Sequence, residues 1–196
     1  IINKSKMIIS HKHKFIFIKP YKVAGTSVEL MLSRQCGSED VITPLGYDPD
    51  PNVREKNNAK HPQNFLLEKP FKYWSAWNIY NRLLRGNKFE KWHFREHLKA
   101  FQIQDRVNPT IWNEYLKVSI VRNPWDQAVS WFEWQNKFGN NPITDFDEFT
   151  AKRYHSMWNL YIDNNYHYCI DYMIKFENLE NNISSLLNML DLTDVR

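Results

Sequence analysis

An α/β domain with a central, mostly parallel sheet and helices on both faces is the fold class this sequence predicts. Three observations carry that prediction. Lys14–Ile18, Tyr115–Val121 and Ile170–Phe176 are short β-branched and aromatic runs that read as buried strands. Each is followed by a stretch with helical spacing of apolar residues, and strands alternating with helices pair in parallel with both faces covered. The length of 196 residues, 42% of them hydrophobic, suffices for one full core and is short for two, so residues 1–196 are expected to form a single domain. Sheets of this kind take their ligands at the carboxyl ends of the strands.

The first strand, Lys14–Ile18, ends at Lys19-Pro20. After a turn containing Gly25, Thr26–Ser33 spaces Val28, Leu30, Met31 and Leu32 as a helix does, with Thr26 or Ser27 available to cap its first turn. From Gly46 to about Gly86 the chain is rich in Pro, Asn and Lys and then aromatic, so 46–90 reads as a loop-rich excursion with some helix. The spacing predicts a helix over Trp92–Ile103. The second strand, Tyr115–Val121, is stopped by Asn123-Pro124, and a helix is predicted from Trp125 to about Lys137. The third strand leads into an amphipathic helix, Leu179–Leu190, with Ile183, Leu186, Leu187 and Leu190 on one face.

Composition narrows the function. A formal charge of +4 suits an anionic ligand but is too weak and scattered for a nucleic-acid partner. Cys36 and Cys169 lie far apart and form no metal-binding or disulfide pattern, which points to a reducing compartment. No membrane-spanning run and no cleavable leader is seen in this stretch, so a cytoplasmic location is expected; a chain that begins at Ile1 leaves room for residues upstream.

Both candidate motifs fall at strand ends. Lys22-Val23-Ala24-Gly25-Thr26-Ser27 lies between a strand and a helix, where free backbone N–H groups and the helix dipole attract an anion. Gly25 permits close backbone approach, Thr26 and Ser27 offer hydroxyls, and Lys22 adds a point charge. Read alone, the segment is equally a plain helix cap. The Walker A pattern is absent, because the Lys precedes the Gly and none follows it. The second motif, Val121-Arg122-Asn123-Pro124-Trp125-Asp126, is followed by Ser130 on the predicted helix, so Arg122 and Ser130 can converge on one phosphate. The competing reading pairs Arg122 with Asp126 beside a capping Asn-Pro turn.

Together these segments resemble the PAPS-dependent sulfotransferases (PAPS, 3'-phosphoadenosine 5'-phosphosulfate), particularly the branch with the carbohydrate O-sulfotransferases and many bacterial and phage relatives. Lys22–Ser27 is similar to that family's PKTAGTS loop, and Val121–Ser130 to its VRNPWDRxVS motif. Glu96–Ala100 resembles its HxxA element, and Asp171–Leu179 its DFxxRFENL stretch. The likeness runs from about Phe15 to Leu192 and is weakest between Gly46 and Glu90, where an acceptor would be met.

The resemblance implies a P-loop-like sheet and transfer of a sulfuryl group from PAPS, leaving PAP (3'-phosphoadenosine 5'-phosphate), to an acceptor hydroxyl, with a carbohydrate as the favoured acceptor class. It implies that Lys22, Val23, Ala24, Gly25, Thr26 and Ser27 hold the 5' end of the nucleotide and that Arg122 and Ser130 hold its 3'-phosphate. Lys22 would also meet charge on the bridging oxygen. His97 would be the base, with His93, four residues earlier, and Glu96 as alternates; an imidazole with a reference pKa of about 6.5 is neutral and useful near pH 7. No metal is required on this reading. Three departures stand out: Tyr21 separates Pro20 from Lys22, Gln127 replaces a common Arg, and the chain stops at Arg196 where relatives continue into a basic loop over the nucleotide.

Bland readings are expected for other candidates. Trp131 and Trp134 read as packing, Glu177-Asn178 as a cap on the last helix, and His11 and His13 as exposed. Trp74 and Trp77 read as packing before carbohydrate platforms. The competing functions are a nucleotide-dependent kinase and an inactive nucleotide- or glycan-binding relative.

Overall fold

In a computed structural model of the protein, the structure describes residues 7–45, 52–67, 92–94, 98–139, 142–154 and 156–192. Five strands form the main sheet: β1 (Met7–Ser10), β2 (Phe15–Ile18), β3 (Val41–Ile42), β6 (Leu116–Val121) and β7 (Tyr172–Lys175), in the order β3-β1-β2-β6-β7. A separate antiparallel pair consists of β4 (Leu66–Leu67) and β5 (Trp92–His93). The described helices are α1 (Gly25–Ser33), α2 (Val53–Lys56), α3 (Ala100–Gln104), α4 (Pro109–Glu114), α5 (Pro124–Phe138), α6 (Phe146–Lys152) and α7 (Leu179–Met189).

The β2-β6-β7 half of the sheet is parallel. β2 pairs with β6 from Phe15↔Leu116 to Ile18↔Ser119, and β6 pairs with β7 from Val118↔Tyr172 to Val121↔Lys175. The carboxyl ends of these three strands therefore lie along one edge. Ser119 donates to the Ile18 carbonyl at 2.7 Å, tying the ends of β2 and β6. At the opposite end, Asp171 accepts both the Lys117 amide and its ammonium, each at 2.8 Å, which fixes the start of the β6–β7 pair.

Alternate residues of β1 and β2 serve two cores. Met7, Ile9, Ile16 and Ile18 face Phe94, Leu98, Ile103, Trp112 and Leu160. Ile8, Phe15 and Phe17 face Val28 and Leu32 of α1 and Leu186 of α7, which also covers Ile174. Burial on both faces explains why these strands are apolar throughout rather than alternating. The predicted apolar face of the last helix is present: Leu186 is fully buried, with Ile183, Leu187 and Leu190 packed beside it.

The α/β class with a parallel core is as expected, and β1 extends that core into a mixed sheet by running antiparallel to both β2 and β3. Several other expectations are corrected. The helix expected over Trp92–Ile103 is shortened to α3. Trp92 and His93 pair instead with Leu67 and Leu66, and the Phe94 amide donates to the Phe65 carbonyl. Phe94 is then buried in the core, and Lys99, in extended conformation, begins α3. His93 is consequently a strand residue. His97 and Glu96 lie outside the described residues, as do Trp74, Trp77 and most of the 46–90 excursion. His11 and His13 are half-buried rather than exposed, their rings hydrogen-bonded to the Tyr115 hydroxyl (3.0 Å) and the Gln35 carbonyl (3.1 Å).

Candidate active site

The loop between β2 and α1 is bent by two left-handed residues, Lys22 and Ala24, each with φ 57°. That conformation is sterically costly for residues with a Cβ, and such strain concentrates at ligand-binding turns. Ala24 is the N-cap of α1, and no side chain caps it. The expected cap by Thr26 or Ser27 is thus not made. The first-turn N–H groups of Gly25, Thr26 and Ser27 have no intrahelical acceptor, so the turn presents three donors and the positive end of the helix dipole. Val23 is buried and anchors the loop in the core beneath the sheet.

Gly25 answers a further need beyond the one its motif suggests. A Cβ there would lie 2.6 Å from Cγ of Lys19, whose stem runs beneath the helix start. Lys19 is itself buried, with its ammonium on Thr26 Oγ1 at 2.9 Å and on Glu29 Oε2 at 3.0 Å. Sequence reasoning passed over Lys19, because a lysine at a strand end is ordinarily exposed.

At the end of β6, Asn123 caps α5 by accepting the Trp125 amide at 3.0 Å, with Pro124 at the first helical position. The Arg122 guanidinium does not pair with Asp126. It lies 4.3 Å over the Phe176 ring and donates through Nη1 to the Lys22 carbonyl at 3.1 Å. This bond joins the two predicted motifs directly. Arg122 Nε is buried and has no hydrogen-bond partner among the described residues. A buried donor of that kind, on a cation flattened against an aromatic ring, suits an oxyanion.

Two residues read as bland prove to belong to this edge. Glu177 does not cap α7; its carboxylate accepts the Asn123 amide at 2.5 Å. That bond, with Arg122 nearby, holds the Glu177 carboxyl below its ordinary range. Trp134 lies under Lys22, whose ammonium is 5.6 Å from the ring centroid. Ser130 and Trp134 are one turn apart on α5, and that i,i+4 spacing is the sequence signal that links Trp134 to the motif.

Tyr21 and Gln127, both unusual for the motifs, are partners. Gln127 is buried and donates to the Tyr21 carbonyl at 2.6 Å, while the Tyr21 ring stacks on Trp131 at 5.1 Å and 3°. The extra residue in the loop is thereby fastened to α5. Trp131 also meets Phe149 and Tyr154 edge-on, which agrees with its reading as packing. The structure thus brings together Lys22 to Ser27 and Arg122, with Ser130 half-buried on the adjoining helix.

Among curated proteins, an uncharacterized protein of Archaeoglobus fulgidus is 28% identical over 102 residues, which cover 50% of this chain and 85% of the relative. No solved structure matches the chain. A model of the sulfotransferase family matches residues 5–196, and the chain belongs to that family.

Proposed function

We propose that this domain, spanning residues 1–196, transfers a sulfuryl group from PAPS to an acceptor hydroxyl, most simply on a carbohydrate. The observation that carries the reading is the bond from Arg122 Nη1 to the Lys22 carbonyl, which makes two anion-attracting strand ends into one site. The donor is anionic at both its 5'-phosphosulfate and its 3'-phosphate, and two adjoining cationic cradles fit such a molecule. The left-handed turn at Lys22 and Ala24 and the Arg122 Nε, which has no partner among the described residues, support the fit. The carbohydrate acceptor rests on motif resemblance alone.

On this reading PAPS supplies the sulfuryl group. The amides of Gly25, Thr26 and Ser27 hold the 5'-phosphate, and Val23 and Ala24 shape the turn. Arg122 and Ser130 hold the 3'-phosphate. Lys22 stabilises negative charge on the bridging oxygen as its bond to sulfur breaks, and His97 accepts the acceptor's proton as the new oxygen–sulfur bond forms.

Calorimetry with PAP, ATP and GTP tests the donor assignment. PAP should bind at least tenfold more tightly than either triphosphate, given the usual worth of a charge-assisted contact. Equal affinities would favour a kinase-like site instead. With labelled PAPS and an accepted glycan, His97→Ala should keep PAP affinity and lose about a hundredfold in turnover. Near-normal turnover in that variant would remove His97 as the base.

A further inference from the structure

Beneath the cradle is a buried charge cluster for which the strand-end motifs have no use. Lys19, Glu29 and Arg54 are 3%, 0% and 6% exposed. Glu29 bridges the two cations, accepting Lys19 Nζ at 3.0 Å on one oxygen and Arg54 Nη2 at 2.8 Å on the other. Arg54 is fixed further by the carbonyls of Thr43 (3.0 Å) and Lys60 (2.8 Å). Lys19 also donates to Thr26 Oγ1 at 2.9 Å, and the absence of a Cβ at Gly25 leaves space for its stem.

An ammonium only donates, so the Thr26 oxygen accepts from Lys19 and its own proton must go elsewhere. Among the described residues no acceptor takes that proton. We infer that Lys19, locked by Glu29 and Arg54, is a positioning residue that commits the Thr26 hydroxyl to donate into the cradle. Without the ammonium, nothing commits the hydroxyl proton to that direction. Lys19 thus keeps Thr26 available to an anion. The inference rests on the cradle being the 5'-phosphate site.

The test is calorimetry with three probes: PAP, adenosine 5'-phosphosulfate, and adenosine 3'-phosphate, which lacks the 5' group. Lys19→Met and Thr26→Val should each weaken the first two about tenfold and leave the third unchanged. The double variant should lose no more than either single one, because both remove the same directed proton. Losses that multiply to about a hundredfold, or an equal loss for all three probes, would overturn the inference and reduce Lys19 to a structural role. If Lys19→Met does not fold, Thr26→Ser should bind like the wild type while Thr26→Val shows the tenfold loss; a Val variant with wild-type affinity overturns the proposal. A wild type that binds adenosine 3'-phosphate as tightly as PAP would instead remove the 5' site, and with it the reading of the cradle.

Discussion

The two strand ends that meet at the site are held in opposite ways. At the end of β2 the loop is fixed from beneath, by the buried Lys19–Glu29–Arg54 cluster and by a backbone bent left-handed at Lys22 and Ala24. At the end of β6 the turn is fixed from the side, by the Phe176 ring on Arg122 and the exposed Glu177 carboxylate on the Asn123 amide. The first arrangement ties the geometry of the site to the stability of the domain, since charges taken out of water must stay paired. The second can loosen with little effect on the core. The geometry of the site thus depends on global folding at one end and on local side-chain order at the other.

The largest effect should come from breaking the buried cluster. Glu29→Ala leaves Lys19 and Arg54 without their shared carboxylate, and loss of one partner from a buried ion pair costs about 3–5 kcal/mol. Urea denaturation should show the midpoint falling accordingly, with the slope unchanged. A Glu29→Ala variant as stable as the wild type would show that the cluster does not hold the cradle.

The smallest effect belongs to Glu177. Its folded pKa is depressed, first by the Asn123 amide and then by Arg122, so its contribution is present above the unfolded value near 4.5 and lost as pH falls through the folded value. Wild-type stability should therefore drop through that acidic window, and Glu177→Gln should lack that part of the drop, lying slightly below the wild type near neutrality and matching it at acid pH. Because Glu177 is exposed, solvent screening keeps the difference slight. A large loss of stability at neutral pH in Glu177→Gln would erase the contrast between the two ends.

What was legible in the sequence was local. The strands Lys14–Ile18, Tyr115–Val121 and Ile170–Phe176 were found within two residues at either end, because an apolar run and its stop signal are adjacent in the chain. The strand β1 was missed. Its turn into β2 is built by Asp40, about thirty residues on, which accepts the Ser10 hydroxyl and the amides of His11 and Lys12. The spacing makes β5 look helical because its partner, β4, is distant in the chain. At the site, Lys22 and Arg122 were visible as motif residues, whereas Lys19, Glu29 and Arg54 become a unit only through contacts ten and twenty-five residues apart. Tyr21 and Gln127 read as separate departures, and only the fold shows them bonded across 106 residues.

The central claim is that the end of β6 holds a 3'-phosphate while the end of β2 holds the 5' group of the same molecule. Titration of wild type and Arg122→Ala with PAP and with adenosine 5'-phosphosulfate tests it most directly. The variant should lose roughly ten- to a hundredfold in affinity for PAP, about 1.5–3 kcal/mol, and little for the ligand without the 3' charge. Equal losses for the two ligands would contradict the assignment.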